Sequence, residues 1–265
     1  GYRVADDEAA GRLDPSFYDL LASESRLASF IAIAKGDVPQ RHWFRLGRAV
    51  TPVGRGAALI SWSGSMFEYL MPSLVMRAPA GSLIAETSRL VVRRQVNYGA
   101  TLDAPWGISE SAYNARDLER TYQYSSFGVP GLGLKRGLGD DIVIAPYATA
   151  LAAMVEPHAA TLNFARLAGI AAQGRYGFYE ALDYTPRRLP AGQEFAIVRA
   201  YMAHHQGMTI VALANTLLKG LMRRRFHAEP RIQATELLLQ ERTPRDVAVA
   251  LVATAESGRR EADDE

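Results

Sequence analysis

Residues 18–39 read YDLLASESRLASFIAIAKGDVP. Phe17, Leu20, Leu21, Leu27, Ala28 and Ile31 recur at spacings of three and four, the period of a helix with one apolar face. Asp14-Pro15 offers an N-cap followed by proline at the first helical position, and Gly36 and Pro39 supply the stop. A helix is therefore expected from about residue 14 to residue 36. Working outward, the same reasoning predicts helices near 65–76, 82–97, 109–122, 144–154, 159–172, 194–218 and 232–240. Pro72 is expected to kink the first of these, Ser109 to cap the 109–122 helix and Gly207 to divide the longest. Short β-like stretches such as 57–62 occur, but no series of alternating strands supports a sheet. The expected fold class is all-α.

Bulk composition narrows the functions. The chain has 265 residues, 48% hydrophobic and 22% charged, which suits a globular domain. A net charge of +2 from 30 basic and 28 acidic residues gives no basic track, so no nucleic-acid partner is expected. There is no cysteine, which excludes disulfides, thiolate metal sites and cysteine nucleophiles. No apolar run reaches the roughly 18 residues of a membrane span. The glycines of 131–137 lack a preceding strand and a GK[ST] ending, and neither HExxH nor GxSxG is present. Neither a metal nor a cofactor is expected.

Two connections are long and aromatic: residues 38–65, and residues 122–141 beginning YQYSSFGVPGLGLKRGLGD. Loops of such length in a helical domain carry function or are disordered, and their aromatic content points to function. Rings beside polar groups suit sugars, which present C–H faces and hydroxyl edges. Trp43, Trp62, Tyr124 and Phe127 are the candidates there.

Among the carboxylates, Glu24 lies on the apolar stripe of the first expected helix. Burial there would raise its pKa, as a general acid requires, unless a salt bridge to Arg26 or Arg45 engages it. Glu110, in PWGISES (105–111), is expected in a first helical turn, where free N–H groups favour the anion; a nucleophile, a base and a simple capping residue all fit. The two environments would drive the two pKa values apart, the usual origin of acid and base roles in a carboxylate pair. Glu68 follows an aromatic loop, and Glu180 and Asp183 lie in GRYGFYEALDYTP (174–186); each either binds sugar hydroxyls or braces a helix. Of His204, His205 and Gln206, adjacent histidines point about 100° apart, so one is expected to meet substrate and the other the core.

The strings YDLLASESRLASFIAIAKGDVP (18–39), HWFRLGR (42–48), SWSGSMFEYLMP (61–72), PWGISESAYN (105–114), FGVPGLGLKRGL (127–138), GRYGFYEALDYTP (174–186) and MAHHQGM (202–208) run through nearly the whole chain. Together they resemble the glycoamylase-like domain of cyclic β-1,2-glucan synthases. The resemblance implies an (α/α)6 barrel, of which residues 1–255 form a part incomplete at the N-terminus, and a charged, loose tail at 256–265. It implies cyclisation of linear β-1,2-glucan by anomer-retaining transglycosylation, with endo-hydrolysis and a non-catalytic glycan-binding fragment as alternatives. Glu24 matches the family's acid/base and Glu110 its nucleophile. Tyr18, Trp106, Tyr113 and Tyr179 join the residues above as substrate-binding candidates, with β-1,2-glucan and further domains of the same polypeptide as partners. The parent is expected at the cytoplasmic face of a bacterial inner membrane.

Overall fold

The structure is a computed structural model that describes residues 17–242 and the short strand pair β1 (Ala5–Asp7) and β2 (Arg12–Leu13). Asp14-Pro15 and the 256–265 tail lie outside the described residues. Eight α-helices are described: α1 (Ser25–Lys35), α2 (Met66–Leu70), α3 (Leu83–Thr101), α4 (Pro146–Ala153), α5 (Pro157–Gly169), α6 (Ala203–Leu217), α7 (Leu221–Phe226) and α8 (Pro230–Thr235). None is long and apolar enough to cross a membrane.

The sequence PYATALAA explains the centre of the molecule. It is small or apolar on every side, so α4 can be buried all round, and all eight of its residues are. Pro146 sits in its first turn, where the missing N–H costs nothing. Around α4 pack α2, α5 and α6, while α3 lies against α2 and α1 against α8. Ser82 caps α3 by accepting from the Ala85 N–H, and Ser65 caps α2 in a reciprocal box with Glu68. Pro72 does end α2, converting its continuation into a 3-10 turn over Met71–Leu74. Gly207 does not divide α6, which runs unbroken through it.

The all-α expectation needs correction at the connections. The 38–65 loop contains an antiparallel hairpin, β3 (Val50–Val53) with β4 (Gly56–Leu59). Residues 109–122 form no helix: Ser111–Arg116 is strand β5, paired with β6 (Tyr122–Ser125). Strand β7 (Val143–Ile144) pairs with β10 (Ala181–Asp183), which pairs with β11 (Ala196–Val198), so the start of the expected 194–218 helix is strand. A last small hairpin joins β8 (Gln173–Gly174) to β9 (Gly177–Phe178). Each piece is at most six residues, too short for a period-2 pattern to be read. The molecule is a helix-rich core carrying short hairpins at its connections.

Gly128 and Gly133 have a steric purpose. A Cβ on Gly128 would lie 1.7 Å from the Ser63 carbonyl oxygen, so the two loops approach backbone to backbone. Leu134 donates to the Ser61 carbonyl and Lys135 to that of Trp62, which fixes the loop bearing Trp62.

Candidate active site

Glu24 does not sit in mid-helix. The chain is bent or extended through 17–23, and Glu24 is the N-cap residue of α1. The buried face of α1 is Ser25, Arg26, Ser29, Phe30 and Ile33, so the apparent stripe from Phe17 was coincidental: Phe17 is exposed. The Ser23 hydroxyl donates to the Leu20 carbonyl at 2.7 Å and accepts from the Ser25 hydroxyl at 2.7 Å, tightening the turn that delivers Glu24. Its carboxyl is pushed up from the ordinary value by burial, with the charges of Glu68 and Glu110 adding to the effect. Its own backbone N–H and the Arg26 charge oppose the rise without cancelling it. No salt bridge to Arg26 forms: that guanidinium donates to the Tyr69 and Leu21 carbonyls instead. Burial lowers the Arg26 pKa to about 10. Oε2 of Glu24 is buried and has no hydrogen-bond partner among the described residues. Such an oxygen carries a desolvation penalty that a bound hydroxyl or a proton relieves.

Glu110 immediately precedes β5, in a turn pinned from two helices. The buried Gln95 amide of α3 donates to the Ile108 carbonyl and accepts from the Ile108 N–H. Asn163 of α5 makes the same pair of bonds to Trp106. Replacing Gln95 by leucine, of similar size, leaves the Ile108 N–H buried without its partner and its carbonyl with only the Met66 N–H. A loss of about 2 kcal/mol in urea unfolding is expected. The carboxyl of Glu110 is raised, not lowered, because burial outweighs the Tyr124 hydrogen bond and the His205 charge that favour the anion. The expected opposition of the two pKa values is therefore corrected: the turn supplies no helix N-terminus, and both carboxyls are shifted upward. What distinguishes them is the partner. Tyr124 Oη donates to Glu110 Oε1 at 2.9 Å, whereas Glu24 Oε2 has none. The Tyr124 hydroxyl is itself raised strongly by burial and by Glu110, and so stays a donor.

Several candidates converge on this pair. The charges of Glu24, Glu68 and Glu110 all raise the Tyr18 hydroxyl, which burial raises first. The Tyr18 and Trp62 rings lie 6.4 Å apart, and the Trp62 indole N–H is buried without a hydrogen-bond partner among the described residues. Behind Tyr124, His205 Nε2 lies 3.4 Å from its hydroxyl, and His205 Nδ1 meets both oxygens of Glu180 at 2.9 and 3.0 Å. His205 is buried and His204 exposed, as a division of labour between neighbours requires. Tyr147, which the sequence did not single out, stacks on His205 with centroids 3.8 Å apart and donates to the Glu110 carbonyl. A cavity of about 100 Å³ adjoins these groups, lined by Tyr147, Phe178, Tyr179, Glu180, His205 and Gln206 among others.

Other candidates are taken up by the framework. Trp43 is buried edge-on against Phe30, and Phe127 is buried edge-on against Tyr113. Trp106 is buried in the pinned turn. Glu68 is buried and accepts from the Ser63 N–H and Oγ, bracing α2, so it reaches the site by its charge. Asp183 is buried and paired with Arg188, whose guanidinium also covers the Tyr113 ring. Among the described residues no group of three or more His, Cys, Asp or Glu could hold a metal ion.

The chain is similar to known proteins in sequence and in fold. The chain is 57% identical over 249 residues to the cyclic β-(1,2)-glucan synthase NdvB of Rhizobium meliloti (strain 1021), covering 94% of this chain and 9% of that protein. An endo-β-1,2-glucanase from Chitinophaga pinensis, solved with sophorotriose and glucose, superposes with a TM-score of 0.60 at 16% identity, over 80% of this chain and 52% of that one. An endo-β-1,2-glucanase mutant from Talaromyces funiculosus, solved with β-1,2-glucan, gives 0.61 at 16%, over 85% and 46%. The chain thus spans about half of the solved structures it resembles, which share its fold. Residues 16–230 match the family described as "Glycoamylase: Putative glucoamylase", and the chain belongs to that family.

Proposed function

We propose that this chain is the glycoside-active domain of a cyclic β-1,2-glucan synthase, closing linear β-1,2-glucan into rings by anomer-retaining transglycosylation. The observation that carries the reading is the asymmetry of the carboxylates: a buried Glu24 with one oxygen awaiting a partner, and Glu110 oriented by Tyr124. The 57% identity to NdvB supports the substrate. The helices are proposed to form part of an (α/α)6 barrel, with the rest of the cleft and further domains in a longer polypeptide at the cytoplasmic face of an inner membrane. The 9% coverage of NdvB fits that arrangement.

The chemistry follows from the two roles. Glu24 gives its proton to the glycosidic oxygen while Glu110 attacks the anomeric carbon. The β-glycosidic bond breaks, the reducing-end segment leaves as an alcohol, and an α-glycosyl ester forms on Glu110. Glu24, now ionised, takes the proton from the 2-hydroxyl at the chain's own non-reducing end. That oxygen attacks the anomeric carbon, the ester breaks and the β-1,2 bond is restored in a ring. Tyr18, Trp62, Tyr124, Tyr179, His204 and Gln206 are the proposed sugar contacts, since they remain at least partly accessible.

Incubation with linear β-1,2-glucan tests the reading through its products. Cyclic glucan without reducing ends is expected; shortened linear chains alone would reject cyclisation in favour of hydrolysis. The pH profile is a second check. Activity needs Glu110 ionised and Glu24 protonated, and both carboxyls are shifted upward. Both limbs of the bell are therefore expected above the ordinary carboxylate value of 4.5. A profile whose limbs both fall below it would contradict the assignment.

A further inference from the structure

The chain of contacts behind Glu110 contains a counting problem. Tyr124 has one hydroxyl hydrogen and faces two groups able to accept it, Glu110 Oε1 at 2.9 Å and His205 Nε2 at 3.4 Å. On its other side, His205 Nδ1 lies within 3.0 Å of both oxygens of Glu180, which also accepts from the Ala112 N–H. Nδ1 therefore carries a hydrogen donated to Glu180. If Nε2 were bare, the Tyr124 hydrogen would leave either Glu110 or Nε2 without a donor. If Nε2 is protonated, it donates to the Tyr124 oxygen and the hydroxyl is free to donate to Glu110.

We propose that Tyr124, His205 and Glu180 form a positioning relay for Glu110, in which a His205 imidazolium held by Glu180 commits the Tyr124 hydrogen to the Glu110 carboxylate. The relay rests on the reading of Glu110 as nucleophile and adds to it the groups that orient and ionise it. One proton rearrangement is built in. Transfer of the Nε2 hydrogen to the Tyr124 oxygen, with transfer of the Tyr124 hydrogen to Glu110, gives neutral His205 and a protonated Glu110 with no change in the proton count. In the first form the Nδ1 hydrogen of His205 is held by Glu180, each side chain being 1% exposed, while the burial of Glu110 works against that form.

The surroundings are arranged for this purpose. Tyr147 of α4 stacks on the imidazole at an interplanar angle of 11°, fixing the ring plane, and its hydroxyl donates to the Glu110 main-chain carbonyl. His204 lies beside His205, with ring centroids 4.0 Å apart. The other charges that bear on Glu110 and its partner are Glu68 and Glu24. Five separate segments thus meet at one line of hydrogen bonds running from Glu180 to Glu110. None of Tyr124, His205 and Glu180 need touch the reacting atoms for this role.

The test compares Tyr124→Phe, His205→Gln and the double variant in the full polypeptide that carries this chain, with Glu110→Gln measured in parallel. Losing the Tyr124 donor is expected to move the acidic limb of kcat/KM upward by about one to two pH units, the worth of one hydrogen bond to a carboxylate. His205→Gln is expected to move it in the same direction. Because His205 acts through Tyr124, the double variant is expected to match Tyr124→Phe to within about twofold rather than multiply the losses. An unmoved acidic limb in Tyr124→Phe, or losses that multiply, overturns the relay. Tyr124 is 42% exposed and the phenylalanine keeps its ring, so that variant decides the matter even where His205→Gln fails to fold. An inactive Glu110→Gln beside an unmoved limb rejects the relay alone; an active Glu110→Gln rejects the nucleophile and the relay together.

Discussion

Changing Glu110 to glutamine is expected to reduce ring formation on the order of 10⁵–10⁶-fold, the scale on which an enzyme loses its nucleophile. The amide keeps the size of the side chain and leaves the Tyr124 hydroxyl with an oxygen to bond, so the fold should survive. What it lacks is the electron pair that forms the glycosyl ester. The pinned turn at 105–110 depends on main-chain bonds to Gln95 and Asn163, which the substitution leaves alone. Circular dichroism should match the parent and urea unfolding should show no loss of stability, while product assays fall to background. Substantial residual cyclisation would remove Glu110 from the reaction.

Glu24→Gln is expected to cost about 10²–10⁴-fold, the usual contribution of a general acid and base, and to make the protein more stable. The second half follows from linkage. A carboxyl whose folded pKa is raised binds more protons folded than unfolded between the two values. Stability therefore falls as pH rises through that window and stays lower above it. A neutral amide removes this loss, and its N–H₂ gives the buried site a donor. The melting temperature of Glu24→Gln should exceed that of the parent at neutral pH, with the gap closing below the unfolded carboxylate value near 4.5. A lower melting temperature at neutral pH would mean that Glu24 braces α1 rather than being held ready for chemistry. A strained, destabilising group of this kind is the common cost of an active site.

Much of the helical framework could be read from local signals. The helices expected at 82–97, 144–154 and 159–172 correspond to α3, α4 and α5, whose starts and apolar faces are set within a few residues, the range over which sequence patterns operate. The period predicts too early a start for α1 because Phe17, Leu20 and Leu21 share the spacing of the helix that begins at Ser25. Ser109 has the local signature of a helix cap before Ser111–Arg116, but its hydroxyl bonds Tyr147 and the Phe67 N–H and the segment is a strand. Its partner strand lies beyond a turn, so pairing decides the conformation there and local propensity does not. The proposed catalytic pair rests on motif resemblance as much as on pattern, since Glu24 and Glu110 meet only through packing of distant segments. Glu180, His205 and Tyr124 each lay in a noted string. Their line of contacts was invisible because the bonds join positions 25 and 81 residues apart. Tyr147 had no signal at all: an aromatic in a buried helix reads as core.

The roles of the two carboxylates can be separated by azide rescue, using an activated β-glycosyl donor with the full polypeptide. With Glu24→Ala, the glycosyl ester forms on Glu110 and azide displaces it, so the product should be the β-glycosyl azide. With Glu110→Ala, azide takes the place of the missing carboxylate and attacks directly, so the product should be the α-glycosyl azide. Proton NMR of the anomeric hydrogen distinguishes the two. A β-azide from the Glu24 variant and an α-azide from the Glu110 variant are the results predicted here; the reverse pattern would contradict the assignment of acid/base to Glu24 and nucleophile to Glu110.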